Sequence, residues 1–348
     1  MKALVTGGTG FVGSHIVKVL TENGHSVRVL HRKSSKLDAL KGIPYESALG
    51  DILELDALRT ACEGCDWVFH VAAIADYWRS DKTRMFEANV EGTRRVLQAA
   101  KEAGVQRVIF TSSAAAVGLR DNGEPAHEFD LFNFPPDHFP YGYSKVLAEK
   151  VVSEAVAAGQ DVVTLNPVVI MGPGDLNMIS GSFITQIKRL QWLAPVTSGG
   201  IAVTDVRDVA RWHLAAAEYG RSGERYLLGT ANLPYQGWFA MIADTVGVAR
   251  PFIRTPDFLA PGITAAVGAL RRLRIPTPID ASQARMARRF VYYDSRKAWA
   301  ELGQPQVDMQ QSLRDTYAWY LQHGYIKSSG LEKFITGVGR LIRRKAQP

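Results

Sequence analysis

Cysteine is almost missing: the chain carries two, Cys62 and Cys65, in 348 residues, too few for a disulfide scaffold. Long apolar runs are missing too, because the uncharged span from Tyr226 to Ala243 is broken by Gly229, Asn232, Pro234, Gln236 and Gly237. A spanning helix is therefore not expected. Met1 leads straight into Ala3-Leu4-Val5 with no charged and then greasy leader, which reads as a cytoplasmic chain in a reducing compartment. The eight histidines have no ligand spacing. Cys62-Glu63-Gly64-Cys65 closes one element and enters the next, so the helix dipole there has the wrong sign to activate a thiolate. No metal site is expected. Internal repeats and low-complexity tracts are likewise absent.

With 46% hydrophobic and 22% charged residues, the chain reads as globular, with material for about two domains. Forty-one Lys plus Arg against thirty-four Asp plus Glu give a net charge of +7. The excess gathers at Arg271-Arg272-Leu273-Arg274 and at Arg340 through Lys345. No basic groove interleaved with stacking aromatics accompanies it, so nucleic acid is not an expected partner.

The first half alternates short β-branched runs with segments of helical period. Strands are expected at Lys2–Thr6, Ser26–His31, Pro44–Ala48, Trp67–Ala72, Arg107–Ser112 and Val162–Asn166. Helices are expected near Phe11–Glu22, Leu55–Cys62, Asp81–Ala103 and Tyr141–Ala158, with Gly24 and Gly104 just beyond two of their ends. This is an α/β pattern, a Rossmann-type doubly wound parallel sheet. After Asn166 the rhythm breaks at Pro167, Gly172-Pro173-Gly174, Pro195 and Gly199-Gly200, which reads as a smaller, mainly helical C-terminal substrate domain. The expected division is residues 1–166 for nucleotide binding, with a return segment at about 200–230. Residues 167–199 and 231–328 are left for substrate and 329–348 for a tail.

Thr6-Gly7-Gly8-Thr9-Gly10-Phe11-Val12-Gly13 follows the first strand and opens the first helix. In that context Gly7 permits the turn, Gly10 lets backbone approach a pyrophosphate, and Gly13 seats the helix on the strand. Unpaired N–H groups at the helix start then face the anion. The second strand ends Val29-Leu30-His31-Arg32-Lys33-Ser34-Ser35-Lys36, with no carboxylate to accept from a ribose 2′-hydroxyl. Arg32 can fork onto a 2′-phosphate, with Lys33 or Lys36 as point charges, so the pattern favours NADP(H) over NAD(H). Asp51, with Ile52 beside it, lies where a carboxylate accepts from an adenine amino group. His70-Val71-Ala72-Ala73 puts small residues where backbone passes the cofactor.

Tyr141-Gly142-Tyr143-Ser144-Lys145 places Tyr141 and Lys145 on one helical face. A nearby ammonium is expected to lower the phenol from its ordinary pKa of about 10, so that Tyr141 exchanges a proton with a substrate oxygen. Thr111-Ser112-Ser113 at the end of the fifth strand offers hydroxyls to hold that oxygen, Ser113 being the preferred one. Asn89 is expected to orient Lys145 through its backbone carbonyl and a water.

Thr6–Gly13, Asp51, His70–Ala73, Asn89, Thr111–Ser113 and Tyr141–Lys145 together resemble an extended short-chain dehydrogenase/reductase of the epimerase/dehydratase superfamily, over roughly Met1 to Tyr325. Val27–Arg32, Asn89–Thr93 and Thr111–Ala114 are similar to the dihydroflavonol-4-reductase, 3β-hydroxysteroid dehydrogenase and hopanoid-associated sugar epimerase groups. The resemblance implies a Ser113–Tyr141–Lys145 triad, Arg32 as the 2′-phosphate contact, and Asn166-Pro167-Val168 packed on the nicotinamide face. It also implies a monomer, or a homodimer through the Asp81–Ala103 and Tyr141–Ala158 helices. Where dehydratases of the superfamily carry Thr-Asp-Glu, this chain has Ser113-Ala114-Ala115, so water elimination lacks its acid and base.

The expected activity is an NADP(H)-dependent interconversion of a ketone or aldehyde and an alcohol. A nucleotide-sugar epimerase with retained NAD(P) is the alternative, for which Lys188, Arg189 and Arg207 could hold a diphosphate. A non-catalytic NADP-sensing regulator is a third, opposed by the intact Tyr/Lys pair. Phe129, Leu131, Phe132, Phe134, Phe139, Met171, Met178, Phe183 and Trp192 would make the substrate apolar if they line the cleft. The tail spaces Leu331, Phe334, Ile335, Val338, Leu341 and Ile342 at helical period beside cations, a pattern compatible with weak contact to an anionic membrane surface.

Overall fold

The computed structural model describes residues 1–75, 81–256 and 286–326, together with the isolated positions Gly262, Ala265 and Ala269. The Arg271–Arg274 cluster and the 329–348 tail lie outside the described residues.

The apolar runs of the first half form β1 (Lys2–Thr6), β2 (Ser26–His31), β3 (Glu46–Leu49), β4 (Trp67–His70), β5 (Arg107–Thr111) and β6 (Val162–Pro167), joined by β9 (Arg225–Leu228). They make one parallel seven-stranded sheet in the order β3-β2-β1-β4-β5-β6-β9. Such a sheet must be covered on both faces, which is why β4 and β6 are buried along their whole length. One face packs on α1 (Phe11–Glu22), α7 (Val206–Tyr219) and α9 (Arg296–Leu302), through Ile16, Leu20, Trp212 and Leu302 among others. The other packs on α2 (Leu55–Cys62), α4 (Gly92–Glu102) and α5 (Pro140–Ala157), through Leu58, Leu97, Ala148 and Val152.

The stretch read as one helix from Asp81 to Ala103 is α3 (Lys82–Phe86), a π-helical turn over Glu87–Glu91, and then α4. The Asp81 carboxylate caps its start by accepting from Arg84 N. Beside the later helices a second sheet forms from β7 (Val169–Met171), β8 (Gly200–Asp205), β10 (Ala231–Pro234) and β11 (Phe290–Val291). With α6 (Ser182–Leu190), α8 (Tyr235–Val246) and α10 (Met309–Gln322) it encloses its own core around Trp238, Leu313 and Tyr320. The return segment is accordingly split. Strand β8 pairs with β7 and β10 in the small sheet, and only α7 and β9 rejoin the large one.

The carboxyl ends of β1, β4, β5 and β6 open onto a cavity of about 770 Å³ that continues toward the small sheet. That edge is where an open α/β sheet offers its loops to a ligand.

Candidate functional site

At the nucleotide end, Gly7 follows β1 with φ +71°, and a Cβ there would lie 2.7 Å from the Ala72 amide nitrogen. A Cβ on Gly13 would lie 2.2 Å from the Gly7 carbonyl oxygen, so only glycine lets α1 sit this close to the turn. Gly10 N donates to Gly7 O at 3.0 Å, and no side chain caps α1. The first amides of α1 thus remain for an anion, which fits a dinucleotide pyrophosphate. Gly7, Thr9, Gly10, Phe11, Val12 and Gly13 all line the cavity, as do Arg32, Asp51, Ile52, Val71, Ala72 and Ala73. Arg32, 62% exposed at its side chain, stands 3.8 Å from Asp51 Oδ2, while Asp51 Oδ1 accepts from Leu53 N at 3.0 Å. Lys36, expected beside Arg32, is exposed and off the cavity wall. The chain turns back after Arg32, whose own N–H donates to Ser35 Oγ at 3.1 Å, and Ser35 takes the lining position instead.

Ser113, Tyr141 and Lys145 converge on the middle of the cavity, with Thr111, Pro167 and Val168 around them. Pro140 at the first position of α5 presets its start, so Tyr141 projects from the first turn and Lys145 from the next. The Ser113 hydroxyl accepts from Ala115 N at 3.2 Å and bonds the Tyr141 phenol. Burial raises the phenol above its usual range, and the Ser113 bond pulls it back in part. The expected lowering by Lys145 is therefore not what governs Tyr141 in this state: burial does. Lys145 is itself buried and is brought down to about 8, with Glu149 opposing the fall. Its ammonium donates to Thr111 O at 3.0 Å.

Asn89 sits in the π-helical turn, where its backbone carbonyl accepts from Thr93 Oγ1 at 2.7 Å. The side chain joins two elements: Oδ1 accepts from Ile74 N at 2.8 Å, and Nδ2 donates to Ser144 Oγ at 3.0 Å. Asn89 thus ties the loop after β4 to the helix residue that precedes Lys145.

Two buried networks have no counterpart in the sequence reading. Ala72 N donates to Thr6 Oγ1 at 3.3 Å, and Thr6 and His70 Nδ1 are 2.8 Å apart. His70 Nε2 lies 3.0 Å from Thr93 Oγ1, which donates on to Asn89 O. A neutral ring protonated at Nε2 satisfies every member of that chain. Burial accordingly pushes His70 down to about 3, with the charge on Lys145 adding to the fall. The second network centres on Glu149, which accepts from Ser112 Oγ at 2.5 Å, Asn166 Nδ2 at 2.6 Å and Arg225 Nη1 at 2.7 Å. Its spacing from Lys145, four residues along α5, was the available signal.

Toward the small sheet the cavity is walled by Phe134, Phe139, Ile170, Phe183, Ile201, Tyr235 and Tyr293, with Asp175 the acidic residue. Of the apolar residues expected there, six are elsewhere. Phe129 and Leu131 are 74% and 84% exposed, because their loop turns outward. Phe132 packs among Phe134, Phe139 and Tyr143, and Trp192 stacks on Phe252. Met171 and Met178 belong to the core of the small sheet. Lys188, Arg189 and Arg207 are also off the wall. Arg207 is held by Asp205 at 2.8 Å and by Asp315 at 2.8 Å. Among the described lining residues the cations are Arg32, Arg84 and Lys145.

Cys62 and Cys65 are free and buried, and burial pushes the Cys62 thiol up to about 12, an unreactive setting. Among the described residues no group of three or more His, Cys, Asp or Glu could hold a metal ion, and no helix is long and apolar enough to cross a membrane.

Residues 3–229 match the family model described as NAD dependent epimerase/dehydratase family. The chain is 37% identical over 339 residues to a provisionally named dihydroflavonol 4-reductase of Synechocystis sp., covering 93% of this chain and 96% of that protein. It is 30% identical over 330 residues to the 4-hydroxy-2-methyl-3-oxo-4-farnesyl-3,4-dihydroquinoline-1-oxide ketoreductase of Stigmatella aurantiaca, covering 90% and 95%. The crystal structure of a nucleoside-diphosphate-sugar epimerase from Pseudomonas aeruginosa superposes with a TM-score of 0.78 at 26% identity, covering 94% of this chain and 99% of that one.

Proposed function

The chain belongs to the NAD dependent epimerase/dehydratase family of extended short-chain dehydrogenases/reductases, and from that premise we propose that it is an NADP(H)-dependent reductase of a ketone or aldehyde on an apolar small molecule. It is an enzyme of the oxidoreductase type, as its reductase relatives are. In this reading residues 1–166, with α7 and β9, hold the nucleotide, and the small sheet with its helices receives the substrate.

One observation carries the proposal. The mutually bonded Ser113 and Tyr141 hydroxyls stand on the cavity wall between the glycine turn and a largely apolar half that includes the Asp175 carboxylate. A carbonyl oxygen set between those hydroxyls receives a hydrogen bond from Ser113 and the proton of Tyr141. Proton loss from a buried phenol is costly, and the Lys145 ammonium, held against Thr111 O, offsets the negative charge as it develops. With its pKa near 8, that ammonium is still mostly charged at neutral pH. When bound, the nicotinamide supplies or accepts the hydride. Gly7–Gly13 and the start of α1 would cradle the pyrophosphate, and Arg32 with Ser35 would take a 2′-phosphate, Arg32 exchanging Asp51 for the stronger anion.

The likeness to a nucleotide-sugar epimerase favours a second reading with retained cofactor. Against it, Arg84 is the one lining cation among the described residues that the reductase reading leaves for a diphosphate, and Arg207 is committed to two carboxylates. Non-catalytic sensing is opposed by the buried, intact Tyr141–Lys145 pair.

The test is oxidation of NADPH and NADH, followed spectrophotometrically, against apolar ketones and aldehydes with nucleotide sugars in parallel. Stoichiometric loss of NADPH with an apolar carbonyl is expected. Interconversion of a nucleotide sugar with no net loss of reductant would replace this reading by the epimerase one.

A further inference from the structure

Tyr141, Lys145 and Glu149 recur every fourth residue and so form one stripe of α5, but the mechanism above uses only the first two. Glu149 is 11% exposed at its side chain, and each of its three donors comes from a different strand end. Ser112 follows β5, Asn166 is in β6, and Arg225 opens β9. Asn166 Nδ2 also donates to the carbonyl of Ser113 at 3.0 Å. A buried carboxylate left without donors or a counter-charge is strongly unfavourable, so these bonds act as a clamp on the three strands.

We infer that Glu149 is a positioning residue for the reaction, locking through Ser112 and Asn166 the strand ends that carry Ser113 and the Lys145 anchor Thr111, and supplying the counter-charge of the Lys145 ammonium. The inference rests on the reductase reading for its catalytic consequence, but its electrostatic part does not. The titratable groups around Lys145 are few. Tyr141 and Glu149 share its helix. From β4, His70 is neutral near pH 7, and from α7, His213, bonded to Thr111 Oγ1, is pushed down to about 4. From β9, Arg225 lies beyond Glu149. Glu149 is thus the negative charge of the set. Without it, burial alone acts on Lys145, and the ammonium gives up its proton nearer neutrality.

Two substitutions separate this role from mere packing. Glu149→Gln keeps the length and one acceptor oxygen but removes the charge; Arg225→Met removes the cation that competes with Lys145 for Glu149. The midpoint of Lys145 is read directly from its Cε resonance in heteronuclear NMR on the full chain, with no cofactor added. It should fall by about one pH unit or more in Glu149→Gln, the size expected for loss of an opposite charge one helical turn along. It should rise in Arg225→Met. The alkaline limb of kcat should move in the same directions, with KM for the carbonyl changed less. An unmoved Lys145 midpoint in folded Glu149→Gln overturns the inference. Should that variant not fold, an unmoved or falling midpoint in Arg225→Met does so. A wild type that oxidises neither NADPH nor NADH with any carbonyl would instead sink the reductase reading, and the NMR titration would still decide whether Glu149 sets the charge of Lys145.

Discussion

At the scale of single residues, Tyr141 is held by opposed effects: burial keeps its proton on and the Ser113 hydroxyl eases it off, while in the proposed reaction Lys145 offsets the charge that develops. Tyr141→Phe removes the proton donor and little else. It should lower kcat for carbonyl reduction by about 10²–10⁴-fold, with NADPH affinity by fluorescence titration unchanged within a few-fold. Retained turnover would remove Tyr141 from the reaction. Arg32→Ala should weaken NADPH by about 10–100-fold, the loss expected of a charge-assisted pair, and leave NADH nearly unaffected. An equal loss for both nucleotides would contradict the 2′-phosphate assignment. The Tyr141–Lys145 pair was legible because helical spacing alone brings it to one face, and Glu149 obeys the same spacing. Lys36 misled because charge is visible in a sequence while the turn that carries it outward is not. That turn is closed by the Arg32 N–H on Ser35 Oγ, a contact of three residues' reach.

At the scale of elements, α1 depends on a contact that tolerates no side chain. Gly13→Ala would drive a Cβ to 2.2 Å from Gly7 O, backbone against backbone, so the turn must shift. The expected outcome is loss of nucleotide binding by calorimetry in a chain that melts several degrees lower, and retained affinity would contradict the cradle as described. Helices α1 and α2 and strands β1 and β2 fall on their expected limits, since period, flanking glycines and burial agree there. The π-helical turn at Asn89 was not legible. It is set by bonds to Ile74 and Ser144, 15 and 55 residues away in the chain. The small sheet was hidden for a similar reason: β7 and β11 have three and two residues, and β11 finds its register by pairing Phe290 and Val291 with Gly200 and Ile201. Strands so short carry no period of their own.

For the whole molecule, two imidazoles are buried without charge, His70 pushed down to about 3 and His213 to about 4. In the unfolded chain both titrate near 6.5. As pH falls below that value the unfolded state takes up protons that the folded state refuses, so stability declines from about pH 6.5 downward through about 4 and then 3. The urea midpoint should therefore drop between pH 7 and 5.5, and less so in His213→Gln; a flat profile would contradict the buried neutral rings. The architecture as a whole was readable because alternating strands and helices with a glycine turn at the first switch admit few other folds. The shape of the substrate half was less so, since Phe134, Phe139, Phe183 and Tyr235 meet there from separate elements. The central claim is that this cavity passes hydride from a reduced nicotinamide to an apolar carbonyl while Tyr141 delivers the proton. The most direct measurement is mass spectrometry of the alcohol formed from an apolar ketone and NADPH dideuterated at C4. One deuterium on the carbinol carbon, absent with Tyr141→Phe, is the predicted result. An alcohol formed without deuterium, or formed equally by the phenylalanine variant, would contradict it.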